Sequence, residues 1–251
     1  MKTNYPKILA VTALALMAMS PALRASETDE RIVSAFKMSY VAQTYLSDDA
    51  VKAESKDGVV TLSGTVNTQS HKGLAEETAL NLPGVRSVDN RLELKAEYPA
   101  EKSNEWIAMN IKSALLYHRS VSATKTEVYV EEGIVTLRGE ASSEAQKELT
   151  TEYADIEGVR EIRNEMTVSN ISEKPEQTLQ EKIDDASITA QVKIALMVHR
   201  STSALKTSVS TQEGVVTVSG TAQNAAEKAL VTKLVNDIHG VNSVVNNMVQ
   251  A

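Results

Sequence analysis

The sequence predicts a mixed α/β (α+β) chain of three tandem α-β-β-α-β modules, each with two helices packed on one face of a small mixed three-stranded sheet. Three observations carry that prediction. The phrase GVVTLSG at 58–64 returns as GIVTLRG at 133–139 and as GVVTVSG at 214–220. A second phrase, GVRSVDN from Gly84, returns as GVREIRN from Gly158 and as GVNSVVN from Gly240. The first glycines of the two phrases stand 26, 25 and 26 residues apart, while the copies repeat at intervals of 75 and 81 residues. Solenoid repeats run about 20–50 residues; these intervals each suit one small domain with a single core.

The first element of each copy is a helix, read from RIVSAFKMSYVAQ, WIAMNIKSALLYH and SITAQVKIALMVH. Apolar residues recur at helical spacing: Ile32, Phe36 and Tyr40; Ile107, Ile111, Ala114 and Leu115; Ile188, Val192, Ala195 and Leu196. An alternating strand follows, clearest as TEVYVEE, with Thr126, Val128 and Val130 on one side. Asp57-Gly58, Glu132-Gly133 and Glu213-Gly214 then mark a hairpin turn, because tight hairpins need positive φ. The returning strand is short and β-branched, and Gly64, Gly139 and Gly220 are expected where the chain leaves the sheet. Thr68, Ser143 and Asn224 are N-cap types for a second helix, with Gln146 and Glu227 completing a capping-box pattern. Gly84, Gly158 and Gly240 are expected as the C′ glycines that end it. The last strand then runs parallel to the returning one.

The amino-terminal 25 residues read differently. Two lysines, the uncharged run ILAVTALALMAM and the small-residue segment SPALRA form the pattern of a cleavable signal peptide. The apolar run is too short to span a bilayer comfortably, and no cysteine offers a lipid anchor, a disulfide or a thiolate site. The expected location is therefore the periplasm, as a soluble protein. The expected domains are 26–97, 98–171 and 172–251, with polar, Pro-containing linkers at about 98–103 and 169–177. Residues 26–251 carry 23 Lys+Arg against 33 Asp+Glu, a net charge of −10. That acidity argues against nucleic acid as a partner and against broad adsorption onto anionic lipid.

With both phrases present in all three copies, the chain resembles the BON domain family (bacterial OsmY and nodulation) over essentially its whole mature length. It departs from the familiar exported type in carrying three modules instead of two. The resemblance implies two helices on a three-stranded mixed sheet, in agreement with the reading above. It also implies a role in envelope or osmotic stress, association with phospholipid, and for some members assistance to other envelope proteins.

No catalytic constellation emerges, so the expectation is a non-enzymatic protein without cofactor or metal. The four histidines (71, 118, 199 and 239) lack a metal-ligand spacing. His118 and His199 occupy one position, each in HRS, where copy 1 has Gln43-Thr44-Tyr45. The simplest reading is a half-buried residue favoured at a helix C-terminus, the sharper one a pH sensor or ligand contact. The pairs Asp48-Asp49 and Asp184-Asp185 read as solvated charges flanking helices. One feature is peculiar to copy 2: Trp106, Met109, Leu116 and Tyr117 form an apolar-aromatic stripe away from the shared core face. It is either packing between modules or a contact surface. As a contact surface its partners would be a phospholipid membrane surface or envelope polypeptide clients; the oligomeric state stays open.

Overall fold

The computed structural model describes residues 21–95, 99–169, 183–202 and 207–251, with side chains from Ser26 onward. Residues 1–20 of the expected leader, 98 and 170–177 of the expected linkers, and 96–97, 178–182 and 203–206 lie outside the described residues. The first module comprises α1 (Pro21–Met38), α2 (Tyr40–Thr44), β1 (Ala50–Lys56), β2 (Val59–Val66), α3 (Gln69–Leu80) and β3 (Ser87–Leu94). The second comprises α4 (Asn104–Tyr117), β4 (Thr126–Glu131), β5 (Ile134–Ala141), α5 (Glu144–Tyr153), β6 (Glu161–Asn164) and β7 (Thr167–Val168). The third comprises α6 (Asp185–Val198), β8 (Thr207–Gln212), β9 (Val215–Ala222), α7 (Ala225–Asn236), β10 (Ser243–Asn246) and β11 (Val249–Gln250).

Each sheet has the predicted mixed pattern. The hairpins β1–β2, β4–β5 and β8–β9 are antiparallel. The third strand of each module runs parallel to the second. In the second and third modules it is broken in two, β6 with β7 and β10 with β11. The asparagine that ends the second phrase sits at this point in every copy. Asn90, Asn164 and Asn246 accept the amides of Leu92, Met166 and Met248, and donate to the carbonyls of Lys72, Lys147 and Lys228 in helix 2. One side chain therefore ties strand to helix, where an isolated buried amide would be costly.

The fixed distance between the two phrases has a physical cause: they touch. Asp57 and Gly58 both have positive φ (52° and 76°), as the two central residues of a tight hairpin turn must, and the other copies repeat this. The turn glycine's carbonyl then accepts the amide two residues beyond the second glycine, at 2.8 Å in each module: Arg86 to Gly58, Arg160 to Gly133, Asn242 to Gly214. A Cβ on Gly58 would lie 2.8 Å from the Gly84 carbonyl oxygen. Gly84, Gly158 and Gly240 in turn face Ile32, Ile107 and Ile188 of the first helix.

Two sequence expectations about glycine need correction. Gly64, Gly139 and Gly220 do not close the strand; they lie inside β2, β5 and β9. A Cβ at Gly64 would stand 1.8 Å from the Ala50 carbonyl oxygen, and one at Gly139 2.0 Å from that of Lys125. Backbone at the start of the partner strand presses on both of these, so only glycine fits. Gly84, Gly158 and Gly240 are not C′ residues either. The second helices end with Asn81, Ala154 and Asp237 as C-caps, and each glycine follows three or four residues later, turning the chain into the last strand. The N-caps Thr68, Ser143 and Asn224 do accept the amides of His71, Gln146 and Glu227.

The first helix of module 1 is interrupted. Ser39 takes extended backbone (φ −64°, ψ 148°) and caps α2, whereas α4 and α6 each run unbroken for 14 residues. The break turns two amides outward: Tyr40 donates to Asp184 Oδ2 at 2.8 Å and Val41 to Ser187 Oγ at 3.0 Å, both at the start of α6. The buried residues of all three modules form one continuous core, with the helical layers turned toward one another. Gly73 lets α3 lie close on α6, since a Cβ there would meet Ile194 Cδ1 at 2.7 Å. Consequently α6 is buried on nearly every side, including Ser187, Thr189 and Gln191.

Gly64→Ala and Gly139→Ala are each expected to destabilise the chain by about 2–4 kcal/mol, because backbone, not a movable side chain, occupies the space and φ is positive. Urea denaturation of the two variants against the parent chain checks this; a loss below about 1 kcal/mol at both positions contradicts it.

Candidate functional site at the module junction

The HRS segments are the joint between modules 2 and 3, and they act reciprocally. His118 makes an isolated antiparallel bridge with Ile238, and His199 makes the equivalent one with Ile156. The Arg119 amide donates to the Asp237 carbonyl at 2.9 Å and the Arg200 amide to that of Asp155 at 3.2 Å. Each guanidinium crosses to the other module's second phrase: Arg119 donates to the Val241 carbonyl at 3.1 Å, Arg200 to that of Val159 at 3.0 Å. Each also faces the matching carboxylate, 2.6 Å for Arg200 with Asp155 and 3.8 Å for Arg119 with Asp237. The two modules are therefore related by an internal pseudo-two-fold axis, an isologous joint within one chain. Arg suits it because its planar fork serves several carbonyls at once. Module 1 has Thr44 and Asn81 at the corresponding positions, so it cannot make this joint.

The two halves of the joint are not identical. Asp237, only 8% exposed, also accepts Tyr153 Oη at 2.7 Å and the Ser120 hydroxyl, and the His118 ring lies flat on Tyr153 at 3.6 Å between centroids. Val235 stands at the position equivalent to Tyr153, so the Asp155 side lacks that contact. Ser120, His118 and Asp237 do not form a nucleophilic triad. The serine proton goes to the carboxylate, and the imidazole is stacked on Tyr153, not on the serine. The joint holds; it has no reacting atom.

Module 1 caps this pair. The Tyr45 hydroxyl lies 2.9 Å from Gln191 Oε1 and 3.3 Å from the Leu116 carbonyl. Its ring meets that of Tyr117 edge-on at 5.3 Å and that of Tyr40 at 5.7 Å. Lys193 pairs with Glu77 at 2.7 Å, and Ser70 Oγ donates to Asn110 on α4 at 3.4 Å.

The stripe expected on α4 is thereby divided. Tyr117 is fully buried (1% exposed), its carbonyl accepting the His239 amide, so it is a packing residue and leaves the contact surface. Trp106 is half-buried against the core and Met109 half-exposed, while Leu116 is 44% exposed. The equivalent residues of α6, Ser187 and Ala190, are covered, with Met197 left 59% exposed. Of the acid pairs, Asp48 is exposed as expected, but the other three acids are engaged. Asp49 is wholly buried at its side chain, accepting the Asn67 amide and pairing with His71 at 2.6 Å. Asp184 caps α6 and binds module 1, and Asp185 accepts the hairpin amides of Glu213 and Gly214, as Asp29 does for Asp57 and Gly58. Asp29's carboxyl is held below its usual range, first by the Ser55 hydroxyl and next by the Gly58 amide. Two open depressions of about 680 and 610 Å³ are rimmed by mixed solvated charges, Asp29, Lys37 and Lys56 in one and Glu131, Arg138 and Arg163 in the other. Among the described residues no three His, Asp or Glu side chains gather as metal ligands.

Burial pushes His118 down to about 3, helped by the neighbouring His199 and His239, which burial also holds below their usual range. The carboxylates Asp155 and Glu152 beside His199, and Asp237 beside His239, partly oppose this, while Arg200 and Arg119 add to it. The folded joint keeps His118 neutral where the unfolded chain, titrating near about 6.5, takes a proton. Stability from this residue is complete above about pH 6.5 and is lost as pH falls toward about 3, on the order of 2–3 kcal/mol by pH 4.5. His118→Phe keeps the stack on Tyr153 and is expected to flatten the slope of urea midpoint against pH over that range. An unchanged slope would show that the acid sensitivity lies elsewhere.

Comparison with known proteins fits this architecture. The family model described as BON domain matches residues 28–96, 103–170 and 184–251. The chain is similar to Osmotically-inducible protein Y of Escherichia coli (strain K12), 27% identical over 143 residues, which span 57% of this chain and 70% of that one. It is also similar to an "Uncharacterized protein in gshII 5'region" of Anaplasma centrale, 32% identical over 142 residues, 56% of this chain and 89% of that one. Among solved structures it matches CdsD, a structural protein of the type III secretion system of Chlamydia trachomatis, with TM-score 0.24 and 17% identity over 88% of this chain and 93% of that one. It also matches the PrgH periplasmic domain, with TM-score 0.20 and 11% identity over 82% of this chain and 97% of that one. Three matched segments covering most of the sequence, each folded around the paired glycine phrases, place this chain in the BON domain family.

Proposed function

We propose that this chain is a non-enzymatic, exported BON-domain binding protein of the periplasm, acting in the osmotic or envelope stress response by laying the open part of α4 on phospholipid membrane surfaces. The stress assignment rests on similarity to an osmotically inducible protein, and the periplasmic one on the leader pattern of residues 1–25. One observation carries the contact: Ser187 and Ala190 of α6 are covered, while the matching Trp106 and Met109 of α4 stay half open. There the sequence supplies Trp106 and Met109 in place of Ser187 and Ala190, with Leu116 exposed farther along. An amphipathic indole beside apolar neighbours suits the headgroup region of a bilayer.

A second reading is favoured by charge. At a net of −10 for residues 26–251 the chain is repelled by anionic headgroups. The same strip can take an apolar segment of an unfolded envelope polypeptide, which makes the protein chaperone-like.

Trp106 is the single tryptophan, so its emission reports on this strip alone. Titration with zwitterionic phosphatidylcholine vesicles is expected to shift it to the blue, saturably, with rising phosphatidylglycerol content weakening the effect, and Leu116→Glu to weaken that binding several-fold. Emission indifferent to vesicles sinks the membrane reading. A shift produced instead by a tryptophan-free denatured client, with its aggregation suppressed, supports the second.

A further inference from the structure

One edge of the third module's sheet differs from its counterparts. The first strands of the hairpins, β1, β4 and β8, each pair on one side only among the described residues, with β2, β5 and β9. An edge strand is a row of backbone donors and acceptors to which another strand can pair, and charged side chains are a common device against such pairing. β1 carries Lys52, Glu54 and Lys56, and β4 carries Glu127 and Glu131. β8, TSVSTQ, carries no charge, and its valine and threonines favour extended backbone. The register shows which groups face out. Glu213 and Gly214 form a two-residue turn (φ 51° and 74°), so Gln212 and Val215 close the hairpin as a hydrogen-bonded pair. Counting back, Ser210 and Ser208 also bond to β9, while the N–H and C=O groups of Val209 and Thr211 point away from it. Among the described residues no other backbone group meets them. The opposite edge of this sheet offers no such run, because it is broken between β10 and β11.

We propose that β8 accepts an extended segment of another polypeptide as an added edge strand. The chemistry of the edge selects the occupant. Donors and acceptors alternating at strand spacing match a second extended backbone, and neither a lipid headgroup nor a small ion reproduces that pattern. Ser208, Ser210 and Gln212, which flank the outward groups, are exposed and uncharged. Their side chains both donate and accept, so they tolerate small polar or β-branched neighbours on the incoming strand. The net charge of −10 on residues 26–251 repels a second copy and any acidic segment, and favours one that carries lysine or arginine. The partner is therefore an acid-free stretch of an unfolded chain, whose own backbone groups are still unpaired. Two outward-facing residues give few hydrogen bonds, so the pairing is weak and exchanges readily. The strip on α4 takes no part in it, and the membrane reading of that strip can fail without touching this one.

Fluorescence anisotropy tests it on the mature full chain, with a labelled peptide of alternating threonine and valine flanked by lysines as the probe. Saturable binding is expected below about 1 mM. The same peptide with prolines in place of its central valines cannot pair as a strand, and is expected to bind about ten-fold more weakly or not at all. Thr211→Pro removes an outward N–H while leaving the bonds to β9 in place, and is expected to weaken binding of the first peptide about ten-fold. Circular dichroism checks that this variant folds. A second readout needs no variant: with unlabelled peptide, amide hydrogen exchange followed by NMR is expected to slow at Val209 and Thr211. Trp106 emission is expected to stay unchanged during that titration, because it reports on the α4 strip. Absence of saturable binding overturns the proposal, as does equal binding of the proline peptide. A shift in Trp106 emission with exchange at Val209 and Thr211 unaltered assigns the peptide to the α4 strip and overturns it as well.

Discussion

Arg119 and Arg200 leave the ends of their helices and cross to the carbonyls and carboxylate of the opposite module, and much of the architecture depends on this exchange. It fixes α4 and α6 side by side, and that pair is the floor on which module 1 sits. A guanidinium aimed at backbone carbonyls makes charge-assisted hydrogen bonds that a lysine could not distribute in the same way. Around it the chain buries imidazole, phenol and carboxylate together. Burial keeps His118 neutral within it, so the joint weakens as pH falls below the range in which an unfolded histidine takes a proton.

Module 1 solves a different problem with the same fold. It lacks the arginine and the acid, and it attaches instead through a broken helix. Ser39 stops α1, and the two amides freed at the start of α2 reach Asp184 and Ser187. Tyr45, at the position of the joint's serines, fills the space between the two long helices. The result leaves α6 almost wholly enclosed and α4 partly bare, an asymmetry imposed by a third body resting on a nearly symmetric pair.

The module was legible from its sequence because its determinants are local and repeated. Asp57-Gly58 names a turn, Thr68 names a helix start, and the recurrence of Gly58 with Gly84 reflects a backbone contact that every copy must keep. What lies between modules was harder to read. A helical wheel assigns Trp106 and Tyr117 to one side of α4 but cannot tell a neighbouring module from solvent, and Tyr117 proved to be sealed beneath Tyr45. Asp49 looked solvated because its partners, Asn67 and His71, belong to a later part of the chain. One signal for the joint was present in the text: HRS and the Asp-Ile before the second glycine both occur in copies 2 and 3, and both are absent from copy 1. Two phrases gained or lost together mark surfaces that meet.

The internal two-fold has a consequence for how such a chain can change over generations. Two separate molecules joined by this surface would need a strong joint, since each could drift away. Linked in one chain, the halves see each other at an effective concentration on the order of millimolar, and a modest joint suffices. Duplication also frees each side to take its own residue, which a true homodimer forbids because every substitution there appears twice. Tyr153 opposite Val235 records that freedom: one side has acquired a stack and a buried hydrogen bond that the other never had to match.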